Sequence, residues 1–434
     1  MQALLSFDQS PPLDAPFRFF LTAPLFAILA GFFLLWSGPE LFASRWTPAA
    51  LALTHLIAAG FMLQAMLGAL VQIMPVVAGA NMGRPMRVAR IVHAAITLGA
   101  LLLVAAFLSF LPLLFKLSVV FLGAGLAIFV GCAAQALSGL ASTSPTIQGL
   151  KYALVGLSVT VVLGVLLAGS LGWSLDFPLM QLSNIHLSWG FVAWGTVLLA
   201  AVGHVVVPMF QLTPAYPDWF SRRFSFSTLA VAALWTLAEL CTWEVPSDLL
   251  GTALVAHAAL FAGVTLHIQR RSKRARFDAT QYYWRGAMIS ALAASAVWLL
   301  ARTVTNVGEW PAWPLLCGIL VLFGGFMSVI IGMLYKIVPF LLWLHLQNQG
   351  RGRMPAPNMK KIISERDMDH QMLAHLGSCT LLLLAVFWPA VFVYPAGIAL
   401  MVANGWLMRN LLSALSVHRN HLLKIEQMIG NPAQ

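Results

Sequence analysis

The chain has 434 residues, of which 60% are hydrophobic and only 9% charged. A soluble domain carries roughly 25% charged residues, so this chain mostly meets lipid or other buried helices, and soluble-enzyme chemistry has no foothold. Its formal charge of +11 is spread over short connections between apolar runs, which reads as membrane topology and not as a nucleic-acid surface.

The first sixteen residues, with Asp8, Asp14 and several prolines, lack the basic start and apolar stretch of a signal peptide. A spanning helix needs about 20 apolar residues. Such runs are expected at 17–37, 49–77, 88–110, 112–139, 149–172, 182–208, 224–243, 248–268, 284–303, 313–345, 370–388 and 390–414. Phe110-Leu111-Pro112 and Trp388-Pro389 mark the tightest turns between them. The expected fold class is an all-α polytopic membrane protein of about twelve spanning helices, one integral membrane domain over 1–434.

Basic residues set the expected orientation. Arg84, Arg87 and Arg90 follow the second helix, and Arg222 and Arg223 follow the sixth. Arg270, Arg271, Lys273, Arg274, Arg276 and Arg285 follow the eighth; Arg351, Arg353, Lys360, Lys361 and Arg366 follow the tenth. The alternate connections hold few, and one carries Glu244 and Asp248. The positive-inside rule then places both termini in the cytoplasm, in a bacterial-type inner membrane.

The second and tenth helices share a phrase, "GALVQIMP" at 68–75 and "GMLYKIVP" at 332–339. The sixth ends in "AAVGHVVVP", with His204 four places before Pro208 and the glycine shifted. Each of the three also carries a Gly-Phe pair, at Gly60-Phe61, Gly190-Phe191 and Gly325-Phe326. A period of four helices predicts three pseudo-repeated four-helix arcs, roughly 17–139, 149–268 and 284–414, around a pseudo-threefold axis.

Ionisable groups inside a membrane are expensive, which makes its histidines functional candidates. His55, His186 and His257 fall in the expected outer half. His55 and His186 each stand about six residues into a helix entered from outside, about 9 Å deep at 1.5 Å per residue. Related places at matching depth are what two ligands to one cofactor require; the bland reading has each bonding a backbone carbonyl or a neighbouring helix. Met62 and Met66 follow His55 by seven and eleven residues along roughly one face. Thioether sulfur suits Cu(I), although a methionine stripe also serves as packing. Glu239 could pair with a histidine, assist a proton, bind a cation or reach interfacial water. Gln72, His204 and Lys336 sit near the inner face, where a lysine snorkels to water or a proton or anion path could run. Asp367, His370 and His375 have spacings of three and five, which match no strong metal motif. His418 and His421 lie in the basic tail and read as solvent-facing. Cys132, Cys241, Cys317 and Cys379 form no CxxC or CxxCH and read as packing residues.

Several stretches resemble known families. "APFRFFLTAPLFAILAGFFLLW", with its basic-aromatic start, resembles the first helix of the NnrS family of haem- and copper-containing membrane proteins. "LTHLIAAGF" is similar to the histidine-containing segment of their second helix, and "HLSWGF" and "VVPMFQLTPAYP" are similar to segments of proteins like oxidase subunit I. Twelve helices in three arcs also resemble subunit I of the haem-copper oxidases and nitric oxide reductases. The resemblance implies haem b and copper, with His55 as a haem ligand and His186 as a copper or haem ligand. It also implies a respiratory partner subunit or a second copy.

This sequence departs from the oxidase pattern. The seventh helix, "TLAVAALWTLAELC", has no paired histidines, and "LFGGFMSVIIGMLYK" on the tenth has none. A binuclear centre cannot be assembled in the usual way, which argues against a terminal oxidase. Two readings remain: a haem- or copper-associated protein with a redox-linked role, or a transporter of a small molecule, metal or haem. The apparent repeat is parallel, whereas many transporters use inverted ones.

Overall fold

A computed structural model of the protein describes residues 10–140, 144–350 and 354–430. Asp8, Arg351 and Arg353, used above, lie outside the described residues. All regular structure among the described residues is helical. The long helices, in chain order, begin with α1 (Asp14–Ser37), α2 (Pro48–Ala78), α3 (Pro85–Ser109) and α4 (Pro112–Ser138). Then come α5 (Pro145–Trp173), α6 (Leu179–Gln211), α7 (Asp218–Leu240) and α8 (Glu244–Arg270). The last are α9 (Ala279–Thr303), α10 (Trp313–Gly350), α11 (Glu365–Phe387) and α12 (Pro389–Gly430).

Proline writes many of these beginnings. Pro48, Pro85, Pro112 and Pro145 each open a helix, where the missing N–H costs nothing. Eleven of the described helices are long and apolar enough to cross a bilayer, so the chain is a multi-pass helical membrane protein. The expected run at 224–243 does form a helix, α7, but Asp218, Arg222, Arg223 and Glu239 make it too polar to qualify by composition. Leu25, Phe32, Ile91, Val162, Ile289 and Ile398 stand more than half exposed on the helix exteriors. In water such a surface would aggregate; against acyl chains it is solvated.

Chain ends meet. Helices α1 and α12 approach so closely that a Cβ added at Gly31 would stand 2.7 Å from the Gly397 carbonyl oxygen, and one at Gly397 would stand 2.8 Å from that of Gly31. Only glycine allows this approach, the usual device of helix packing where lipid supplies no hydrophobic drive.

Helices α2, α6 and α10 share a feature unseen in the others. Each contains a π-helical stretch, at Leu56–Met62, Trp189–Thr196 and Leu320–Met327. Such wide turns are rare and occur mostly at functional sites. From the first residue of the stretch to the proline further along is nineteen residues in all three helices, Leu56 to Pro75, Trp189 to Pro208 and Leu320 to Pro339. The Gly-Phe pairs do not keep this register: Gly190 lies at the start of its π stretch, Gly60 and Gly325 near the end of theirs. The stretches also meet, α2 against α10 and α6 against α10, where the Phe191 and Phe326 rings lie 5.8 Å apart.

Candidate functional site

His55 is the last residue before the π stretch of α2. Its Nδ1 lies 2.8 Å from the Leu51 carbonyl oxygen, and its ring leans on Phe107 of α3 with centroids 5.1 Å apart. His186 stands three residues before the π stretch of α6, its Nδ1 3.1 Å from the Thr160 carbonyl oxygen on α5. Gly164 gives this ring its room, since an added Cβ there would come within 3.1 Å of His186 Cε1.

A carbonyl oxygen accepts only, so Nδ1 carries the proton on both rings and Nε2 keeps its lone pair. No hydrogen bond occupies either Nε2 among the described residues. This is the arrangement in which metal-bound histidines are held, with the far nitrogen tied to a carbonyl. The two imidazoles also lie within electrostatic range of each other. Near them, Arg45 reaches from the loop before α2 to Asn184 of α6, Nη2 to Oδ1 3.1 Å, joining the two helices at this end.

The π register refines their relation. Twenty residues separate His55 from Pro75 and twenty-two separate His186 from Pro208. Counted back from those prolines, the place that His55 holds on α2 falls to Ser188 on α6, and His186 stands two residues, about 3 Å of helix rise, beyond it.

The other sequence-derived positions fall elsewhere. His257 spends both nitrogens, Nδ1 on the Ala253 carbonyl at 2.7 Å and Nε2 on Ser227 Oγ at 3.2 Å. Met62 and Met66 are core residues, each 5% exposed. The intervening π stretch adds about one residue to the turn, roughly 100° of rotation at 3.6 residues per turn, so they leave the face of His55. The Glu239 carboxylate accepts from Ser247 Oγ, and its carbonyl oxygen accepts from Gln181 Nε2 at 2.5 Å. Glu239 lines an open cleft of about 440 Å³ with Gln181, Asn184 and Pro178–Met180.

At the arginine-rich end, Gln72 donates to Ser10 Oγ at 2.5 Å, while its own oxygen is buried without a partner. His204 packs on the rings of Tyr216 and Phe220, with neither nitrogen bonded. Lys336 is held by a carboxylate. Its Nζ lies 2.6 Å from Asp278 Oδ2, which Arg274 also meets at 2.8 Å. Asp367, His370 and His375 do not converge. Asp367 accepts from Ser364 Oγ at 2.7 Å, His370 lies against Trp406, and His375 is fully buried with Nε2 2.8 Å from Ser328 Oγ. His418 is not solvent-facing: it is buried against His345 of α10.

Sequence reasoning passed over Asp278, although Asp278-Ala279-Thr280-Gln281 carries the spacing of a helix start, and its Oδ1 does cap α9 at 3.0 Å from Gln281 N. Nothing local marks His345 as a partner of His418, 73 residues away. No group of three or more His, Cys, Asp or Glu side chains is arranged to hold a metal among the described residues. No family model matches the chain, and no curated protein matches it.

Proposed function

We propose that this is a haem- or copper-associated integral membrane protein with a redox-linked role, in handling nitric oxide stress or supporting a respiratory chain, related to NnrS and to oxidase subunit I. One observation carries the reading: His55 and His186 each tie Nδ1 to a carbonyl and leave Nε2 free, within electrostatic range of one another. The donor set fits haem b, which one or two imidazoles would hold without a larger ligand cluster. Copper would rest on the same two rings, with no third His, Cys or acid already arranged beside them. When bound, the group would supply one-electron chemistry and a place for a diatomic ligand. The chain's own part is to fix both tautomers through Leu51 and Thr160 and to wall His55 with Phe107.

The scaffold we propose has twelve spanning helices in three arcs, with both termini cytoplasmic. The common nineteen-residue spacing on α2, α6 and α10 supports the arcs. The spanning of α7 is supported by the ends of α6 and α8, which lie together: Gln269 Nε2 meets Gln211 Oε1 at 2.8 Å and Lys273 N meets the Leu212 carbonyl at 3.0 Å. A chain that leaves one membrane face along α7 and returns to it along α8 crosses twice.

The protein purified after expression with ample haem should show a Soret band, which His55→Ala removes while membrane insertion persists; His186→Ala should shift it. A second reading, transport of a small molecule, metal or haem, draws on the cleft at Glu239 and on the charged cluster at the opposite end, Lys336 with Asp278 and Arg274. Protein that is colourless and free of haem and copper under the same conditions would favour it.

A further inference from the structure

Three histidines near the arginine- and lysine-rich end take no part in the site above. His345 lies on α10, six residues beyond Pro339, and His418 and His421 lie near the end of α12. His345 Nδ1 and His418 Nε2 are 3.0 Å apart, with ring centroids at 5.1 Å. His418 is 9% exposed. His421 follows it by three residues, on a neighbouring part of the helix surface, and its Nε2 is buried with no partner. His345 and His421 both act electrostatically on His418. Arg419 and Lys424 point outward, exposed.

Packing alone does not call for this arrangement. The flanking residues Leu342, Leu346, Leu411, Ala414 and Ile425 are apolar and buried, and two more like them would join α10 to α12. Two imidazole nitrogens in tetrahedral zinc coordination, at about 2.0–2.1 Å from the metal, stand about 3.3 Å from each other. The observed pair needs to open by only about 0.3 Å to reach that edge. The hydrogen bond sets the two nitrogens face to face; for metal to enter, both rings tilt so that their lone pairs converge beside the N···N line, and the proton between them moves to the far nitrogen of its own ring, or leaves.

We propose that His345 and His418, with His421 turned in as third ligand and a water as fourth, bind a divalent late-transition-metal ion of the zinc type. Imidazole selects such ions over magnesium and calcium, which prefer oxygen. The metal would clip α10 to α12, the two helices on which the short helix Met359–Ile362 also packs. This site stands apart from the haem reading and does not depend on it.

The test uses the full chain in detergent, stripped with a chelator and carrying His55→Ala and His186→Ala, so that metal at the other pair contributes nothing. Titration with Zn²⁺ by calorimetry should give one saturable equivalent, and Mg²⁺ none. His345→Ala or His418→Ala should weaken binding at least about tenfold, the lower bound for altering even an outer-shell partner. His421→Ala should weaken it less, and His267→Ala, on the exposed face of α8, should leave it unchanged. Zn²⁺ should also raise the unfolding temperature of the parent chain and not that of the His345→Ala/His418→Ala chain. If an alanine variant does not fold, His418→Asn, which keeps a polar partner for His345, carries the same comparison. No saturable Zn²⁺ binding by the folded parent, or unchanged affinity in folded variants of His345 and His418, overturns the proposal.

Discussion

Asp278 concentrates several roles in one carboxylate. Oδ1 caps the start of α9, and Oδ2 receives both Arg274 Nη1 at 2.8 Å and Lys336 Nζ at 2.6 Å. All three side chains are less than a third exposed, so solvent screens them only in part. Asp278→Ala removes the cap, worth about 1 kcal/mol, and leaves two half-buried cations facing each other, for a total near 3 kcal/mol or more. Lys336→Met should cost within about 1 kcal/mol, because Asp278 keeps Arg274 and the cap. Thermal unfolding in detergent ranks the two, and a more damaging Lys336→Met would show that the carboxylate is not the centre of the cluster. The cap was legible in Asp278-x-x-Gln281, a local signal. The ion pair was not, since Lys336 lies 58 residues away and only the fold brings it near.

At the scale of the element, what could be read were the helix limits and what could not were the turns inside them. Proline and the length of apolar runs placed α4 at 112–139 where it runs Pro112–Ser138, and α5 at 149–172 within Pro145–Trp173. The π stretches use the same residue types as the α-helix around them, so neither composition nor periodicity announced them, and the Gly-Phe pairs gave the repeat a register that the turns revise by up to four residues. Close approach is testable at the same scale. Gly397→Leu forces side-chain atoms into the Gly31 carbonyl and Leu35, and overpacking of this kind costs about 1–3 kcal/mol. Gly405→Leu, eight residues further along α12 with no atom within 4 Å of its added Cβ, should be tolerated. Equal stability of the two variants would mean that α1 and α12 can part without cost.

Over the whole molecule the question is how many times the chain crosses, and α7 decides it. Composition alone leaves α7 in doubt, because Arg222 and Arg223 sit in its first turns and Glu239 near its last. The charge pattern treats it as a crossing. Arg222 and Arg223 begin α7, and Arg270 and Arg271 close α8; the two clusters fall on one face only if both helices span. Hydrogen bonds from Gln269, Ser272 and Arg274 to Gln211 and to the Phe210 and Gln211 carbonyls hold those two ends together. Were α7 to lie along the interface, every helix from α8 onward would invert, carrying Arg276, Lys360 and Lys361 to the outside against the positive-inside rule. Reporters that distinguish the two faces, fused after Pro217, after Thr242 and after Arg276, should read cytoplasm, periplasm and cytoplasm. The same reading after Pro217 and Thr242 would reduce the crossings to eleven and place the C-terminus outside. It would also break the four-helix period on which the three arcs depend.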